Sequence, residues 1–202
     1  MQRKVIAVFG GSFNPPINSH LKLAKQIIEQ YKGIEKLVFV PVSTKYRKAN
    51  LVEDIHRYNM LKLMCEDEEK LEVSDIEISQ NKQLYTIETL DLLKKQYGKE
   101  YDVYFVMGTD NLKQIDTWRE PERLLNEYKI IVLEREDDKF EEIISCITFL
   151  KNNKKSLIKI QGINRINLSS TIIRNKIKNN ENVEEFVPKK VLEYIKKNKL
   201  YE

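Results

Sequence analysis

Apolar positions along this chain fall into two alternating kinds of segment: short unbroken runs, and longer stretches in which they recur every three or four residues. The runs are Val5–Phe9, Leu37–Val40, Val103–Met107, Ile130–Leu133 and "LIKIQ" at 157–161. They are rich in β-branched residues, and the first three stop at glycine or proline, as strands buried on both faces do. "LEVSDIEIS" at 71–79 alternates loosely and predicts an extended segment. Leu21, Ala24, Ile27, Ile28 and Tyr31 keep helical spacing, with Asn18 or Ser19 placed to cap the start. Ile55, Met60, Leu61 and Met64 predict a second helix, and Ile87, Leu90, Leu93 and Tyr97 a third that opens near Thr86. "EPERLL" predicts a short helix with Pro121 early in it, a position where a missing N–H costs nothing. Residues 140–151, 169–178 and 188–198 complete the helices, and "KNNEN" at 178–182 reads as a surface loop.

Strands therefore alternate with helices from the first residue to about 180. That order predicts an α/β fold: a doubly wound parallel sheet with helices on both faces. No internal repeat, low-complexity tract or long linker interrupts it, so residues 1–202 are expected to form one domain, with 168–202 as a small C-terminal helical part.

Composition narrows the class. A chain of 202 residues, 41% hydrophobic and 33% charged, can bury a core without disulfides and suits a soluble globular protein. No apolar run approaches the ~18 residues that span a bilayer, and the N-terminus lacks a signal-peptide pattern. Cys65 and Cys146 are far apart and without metal-site spacing, which fits two thiols on helix faces in a reducing, cytoplasmic setting. The net charge of +4 comes from 35 basic and 31 acidic residues interspersed, so neither nucleic acid nor a membrane is called for. Assembly into a homo-oligomer stays open.

The chemistry concentrates in "VFGGSFNPPINSHLKLA", residues 8–24. In open α/β sheets ligands bind beyond the carboxyl ends of the strands, where this stretch lies. Glycines there let backbone approach a ligand, and the next helix aims free N–H groups and a positive dipole end at the same spot. This is a phosphate site in principle. It is neither a P-loop nor a G-x-G-x-x-G fingerprint. His20, in the first turn, can reach the same phosphate; a tight turn with a capping histidine is the plainer reading. "LSSTIIR" places Ser169, Ser170 and Thr171 at a second helix mouth with Arg174 one turn in, which makes another anion cradle or an ordinary serine cap.

Five stretches give a specific resemblance: "GGSFNPPINSHL", "LYTIETL", "MGTDNLKQIDTW", "LSSTIIR" and "FVPKKVLEYIKKNKLY". Together they run from residue 10 to 201. The sequence resembles the nucleotidyltransferases of the His/Thr-x-Gly-His (HxGH) superfamily and, within it, the nicotinate- and nicotinamide-mononucleotide adenylyltransferases. The resemblance implies a Rossmann-like fold and transfer of AMP from ATP to a pyridine mononucleotide, with release of pyrophosphate. It implies ATP contacts from Gly10, Gly11, Ser12, Phe13, His20, Gly108, Asp110, Ser169, Ser170 and Arg174, with Asp110 on the adenosine ribose. Asn14, Lys48, Thr86 and Trp118 would meet the mononucleotide, Trp118 by stacking on the pyridine ring. His20, Arg174 and Lys45 would stabilise the reacting phosphates, Lys45 and Lys48 being alternatives for one phosphate contact. Mg²⁺ would enter on the ATP phosphates, since Mg²⁺ keeps several waters and takes few protein ligands, and no metal cluster is visible in the sequence.

The attacking phosphate is already an anion, so no general base is required; positioning and charge stabilisation would suffice. Thr86 at a helix mouth favours a carboxylate over a neutral amide, which points to nicotinate mononucleotide. Three alternatives stand beside this: the nicotinamide mononucleotide as acceptor, a phosphopantetheine or choline-like phosphate, and a nucleotide-binding sensor with little turnover. The family usually has His or Thr at position 17 and glycine at 19, where this chain has Ile17 and Ser19. Isoleucine donates nothing, so one phosphate contact is expected to be missing, and Ile17→His is expected to raise the rate. Asn14 stands where bacterial members more usually have aspartate. His56 is expected to be structural or solvated.

Overall fold

The computed structural model describes residues 3–45, 51–134, 138–160 and 169–202. Its six strands are β1 (Lys4–Gly11), β2 (Ile34–Pro41), β3 (Leu71–Val73), β4 (Tyr101–Gly108), β5 (Lys129–Leu133) and β6 (Leu157–Ile160). They form one sheet in the order β3-β2-β1-β4-β5-β6, and every neighbouring pair is parallel. Side chains of β1 alternate between two cores: Val5 and Ala7 enter one, Ile6 and Val8 the other, each at most 2% exposed. Burial on both faces is why these strands read as unbroken apolar runs. Each isoleucine, leucine or phenylalanine so buried contributes roughly 1.5–3 kcal/mol.

The helices in chain order are α1 (Asn18–Gln30), α2 (Asp54–Cys65), α3 (Thr86–Tyr97), α4 (Thr109–Leu112), α5 (Pro121–Glu127), α6 (Phe140–Cys146), α7 (Thr148–Asn152), α8 (Ser170–Lys178) and α9 (Lys189–Lys197). Ala24 and Ile27 of α1, Met60 and Leu61 of α2, Ile173 of α8 and Val191 and Ile195 of α9 share the core under one face. Ile87 and Leu90 of α3, Leu112, Leu124, Ile143 and Leu150 fill the other. This is the doubly wound α/β arrangement. The C-terminal helices pack on the α1–α2 face, where the Tyr194 hydroxyl meets His56 Nδ1 at 2.9 Å. His56 thus has a structural role between α2 and α9. No helix among the described residues is long and apolar enough to cross a membrane.

Four elements differ from the sequence expectation. The residue before α1 is Ile17, not Asn18 or Ser19, and Asn18 instead donates to the Glu185 carbonyl at 2.9 Å. The 71–79 segment is a strand only to Val73. Beyond it the Ser74 hydroxyl accepts the Ile76 N–H at 3.3 Å, a local bond that turns the chain away from the ladder. The helix expected over 140–151 breaks at Ile147, where the backbone is extended at φ −110°, ψ 106° and two β-branched residues stand together. Ile55 is 54% exposed, because Arg57 takes an inward place on α2 in line with Met60, Leu61 and Met64. Gln161 of "LIKIQ" lies outside the described residues.

Candidate active site

β1 and β4 are neighbours at the centre of the sheet, and the chain leaves them toward opposite faces, β1 into α1 and β4 into α4. Such a switch point opens a crevice at the carboxyl edge. Phe9 pairs with Val106, so the glycines ending β1 and Gly108 ending β4 leave the sheet beside one another. A Cβ on Gly11 would lie 2.9 Å from the Phe13 ring, so a larger residue at 11 would displace it. Phe13 itself has φ 44°, a left-handed conformation that costs about 1–2 kcal/mol. Edge-on packing against Phe9, Phe39 and His20, at ring distances of 5.8, 5.3 and 5.1 Å, holds it there.

The carbonyls of this loop are engaged one by one. Gly11 C=O accepts the Val42 N–H at 3.0 Å, and Ser12 C=O accepts from Arg57 at 3.0 Å. Asn14 C=O accepts from Arg174 at 2.9 Å, and Pro15 C=O accepts the Ser170 hydroxyl at 2.9 Å. A trans peptide points its N–H opposite to its C=O, so the Ser12 and Phe13 N–H groups face away from these donors. Pro15 and Pro16 have no N–H to satisfy. Asn14 is buried, and its side-chain oxygen accepts from Tyr201 Oη at 2.8 Å and the Val52 N–H at 3.3 Å.

His20 closes the start of α1. Its Nδ1 accepts the Ile17 N–H at 3.0 Å, and its own N–H donates to Ile17 C=O at 2.9 Å. The neutral ring therefore carries its proton on Nε2, where it is a donor. Burial lowers the imidazole from its usual value to about 4. The Ile17 side chain is 1% exposed and belongs to the core.

The second helix mouth lies on the same loop. Ser169 Oγ accepts the Ile172 N–H at 3.3 Å and caps α8, while Ser170 and Arg174 reach Pro15 and Asn14. Arg174 also donates to Thr171 Oγ1 at 3.2 Å. The α1 and α8 N-termini thus converge at one rim of the sheet.

Across the crevice, Asp110 sits half-buried in the first turn of α4, after Gly108. The half-buried Trp118 packs edge-on to Phe105 at 6.2 Å, and Phe105 is also the residue a Cβ on Gly10 would meet. Thr86 is the first residue of α3, whose cap position is Tyr85. Glu88 accepts the Tyr85 N–H at 2.8 Å and pairs with Lys82 at 2.6 Å. Arg119, next to Trp118, lies over the exposed Tyr85 ring at 5.8 Å.

The structure brings the loop of Gly11–Asn14 together with His20, packed on Phe13, and with Ser170 and Arg174, bonded to Pro15 and Asn14, while Ser169 caps α8 beside them. Lys45 is apart from it: its ammonium donates to the Gln80 carbonyl. Lys48 lies outside the described residues. Among the described residues no group of three or more His, Cys, Asp or Glu side chains is placed to hold a metal ion.

Three residues escaped the sequence reading. Arg57, fully buried, binds Ser12 C=O, Val52 C=O at 3.0 Å and Asp54, while Asp54 accepts from the Thr44 N–H at 2.7 Å and Ser43 Oγ at 3.1 Å. Its signal was available: a cation at 57 in the stripe of 60, 61 and 64. Burial lowers its guanidinium below the ordinary arginine value. Glu77, beside it, accepts the Thr89 hydroxyl at 2.8 Å, and burial raises its carboxyl to about 7. Tyr201 lies at the end of the stretch "FVPKKVLEYIKKNKLY", but nothing in that stretch marks its contact with residue 14, which only folding makes.

Comparison with known proteins agrees with this geometry. Residues 8–176 match the cytidylyltransferase-like family. A protein of Fusobacterium nucleatum described as a "probable nicotinate-nucleotide adenylyltransferase" is 39% identical over 193 residues, covering 95% of this chain and 97% of that one. One of Clostridium acetobutylicum with the same description is 36% identical over 197 residues, covering 96% of this chain and 98% of its own. The structure of Plasmodium falciparum nicotinic acid mononucleotide adenylyltransferase complexed with NaAD superimposes with a TM-score of 0.78 at 27% identity, over 98% of this chain and 97% of that one. With two helix mouths meeting at the switch point and matches of this extent, the chain belongs to the cytidylyltransferase-like family and, within it, to the nicotinate-nucleotide adenylyltransferases.

Proposed function

We propose that this chain is a nicotinate-mononucleotide adenylyltransferase of NAD biosynthesis, working in the cytoplasm. The mononucleotide phosphate attacks the α-phosphorus of ATP, the new P–O bond gives the dinucleotide, and pyrophosphate leaves. ATP enters as its Mg²⁺ complex, the ion riding on the phosphate oxygens as part of the substrate. The observation that carries this reading is the convergence of α1 and α8 on the loop of residues 12–15, with Ser170 2.9 Å from Pro15 C=O and His20 bonded to Ile17. The complexes of the Plasmodium enzyme with NaAD and with APC support a dinucleotide product and an ATP-like substrate.

In this reading Ser12 and Phe13 N–H groups, His20 Nε2–H, the Ser169–Ser170 mouth and Arg174 hold the triphosphate and its developing charge. Such donors act through preorganisation, and the anchors on the Gly11, Ser12, Asn14 and Pro15 carbonyls supply it. Gly10 and Gly11 admit the phosphates, and Gly108 and Asp110 face the adenosine. Asn14, Thr86 and Trp118 receive the mononucleotide, and Lys45, with Lys48, a phosphate on approach. A nicotinate carboxylate is favoured over the amide by the α3 N-terminus and by Arg119, a cation beside both Trp118 and Tyr85. Residues 1–202 act as one unit, its C-terminal part carrying Ser169, Ser170 and Arg174.

Pyrophosphate release tests this, with ATP plus nicotinate mononucleotide set against ATP plus nicotinamide mononucleotide. Faster turnover with nicotinate mononucleotide is expected. Preference for the amide would reassign the acceptor, and ATP binding without pyrophosphate from either would make the chain a nucleotide sensor, the reading that Ile17 favours.

A further inference from the structure

We propose that Tyr201 is a positioning residue for this reaction, holding Asn14 and through it the loop of residues 12–15. The inference rests on the adenylyltransferase reading of the site. Tyr201 Oη donates to Asn14 Oδ1 at 2.8 Å across 187 positions of sequence. The same loop is anchored by Arg57 at Ser12 C=O and by Arg174 at Asn14 C=O. Tyr201 therefore completes a set of donors drawn from α2, α8 and the turn after α9, meeting acceptors on Ser12 and Asn14 to either side of Phe13. The Phe13 N–H points opposite to the Ser12 C=O that Arg57 holds.

The chain is bent on purpose to deliver this hydroxyl. After α9, Leu200 N–H donates to Ile195 C=O at 3.1 Å and Lys199 N–H to Lys196 C=O at 3.3 Å. This is the Schellman arrangement, with Lys199 at φ 50° where glycine is the usual occupant. Leu200 and Ile195 are buried in the core that also holds Phe13 and Ile17. Tyr201 follows at φ 69°, a second left-handed residue. Two left-handed, non-glycine residues flanking a buried leucine turn the tail back on the loop, a local cost that pays for itself only if the contact matters. The phenol is held above the ordinary tyrosine value by burial, despite nearby Arg174 and Arg57, so it keeps the proton it donates.

Tyr201→Phe removes the one O–H and keeps the ring. We expect kcat to fall about fivefold to thirtyfold, the range for a lost buried hydrogen bond that bears on transition-state geometry. Both KM values should stay within about twofold, and the melting temperature within about 3 °C. Amide exchange at residues 12–14 should quicken, a readout independent of turnover. In the Asn14→Ala background the same exchange should cost nothing further, because Tyr201 acts through Asn14. Wild-type kcat in the folded variant overturns the proposal, with or without faster exchange, and so do additive losses in the double variant. If the wild type itself releases no pyrophosphate, the reaction reading falls, and unaltered exchange at residues 12–14 then also removes Tyr201 as the holder of the loop.

Discussion

His20 and Ile17 form a reciprocal pair: the imidazole Nδ1 takes the Ile17 N–H at 3.0 Å, while Ile17 C=O takes the His20 N–H at 2.9 Å. One side chain thus caps α1 and, by the same bond, fixes the tautomer that carries its proton on Nε2. Histidine stands at the third helical position, where such a box usually has glutamate or glutamine, and unlike glutamate it keeps an N–H donor.

Ring titration by NMR checks this. In the ligand-free protein His20 should titrate near 4 rather than at the usual 6.5. MgATP should raise it, since a nearby anion favours the imidazolium. A lowered folded-state value means that the unfolded chain binds the extra proton first. Stability from this group is therefore complete above the unfolded value and is lost as pH falls from 6.5 through about 4. A ring that titrates unshifted would mean it is solvated.

His20→Ala should lower turnover at least about tenfold, since one phosphate-facing donor is removed. It should also cost about 0.5–2 kcal/mol of stability, the scale of a lost cap. Wild-type turnover with reduced stability would make the histidine a cap and nothing more.

Trp118→Ala should raise the KM for the mononucleotide far more than the KM for ATP. The ring is edge-on to Phe105 at 6.2 Å and half-buried, and on the adenylyltransferase reading a pyridine would stack on it. Equal effects on both substrates would assign Trp118 to packing alone.

Ile17→His, expected from sequence to raise the rate, is now expected to destabilise the protein. The side chain at 17 is 1% exposed in an apolar core, and an unsatisfied imidazole there costs roughly 1–3 kcal/mol. A thermal melt and the rate per folded molecule decide it. A faster, equally stable variant would show that the ring swings out to the phosphates.

Glu77→Gln should stabilise the protein at pH 8. The carboxyl titrates near 7 because it is buried, so between pH 4.5 and 7 the folded state holds a proton that the unfolded chain has lost, and at pH 8 the folded state carries a buried charge. Stability from this group falls as pH rises from 4.5 to about 7, and glutamine, which keeps the bond to Thr89, escapes that loss. A rise of roughly 2–4 °C per kcal/mol recovered should appear at pH 8 and vanish at pH 4. Lower stability at pH 8 would mean that Arg57 rewards the charge.

The strands and helices were legible because each answers to its own stretch of sequence: Ile6 and Val8 announce a strand, and Ala24 and Ile27 a helix. The glycines, the two prolines, His20 and Ser169 were legible as a tight turn and two helix mouths, since turn chemistry and helix mouths are local. The N-cap was misread because Asn18 is the usual residue type, whereas the bond that closes α1 comes from a histidine three positions on. Arg57 was passed over, because a cation is not sought in an apolar stripe. What the sequence did not reveal is which distant segments meet, 12 with 57 and 14 with 174 and 201, since each residue's own pattern says nothing of its partner.

The loop of residues 12–15 is therefore braced from 57, 174 and 201, all later in the chain than the loop itself. During synthesis it emerges early but stays without these braces until α2, α8 and the turn after α9 have left the ribosome and folded. Chains cut after β6 already contain the whole sheet and should fold with this loop held by Arg57 alone of the three.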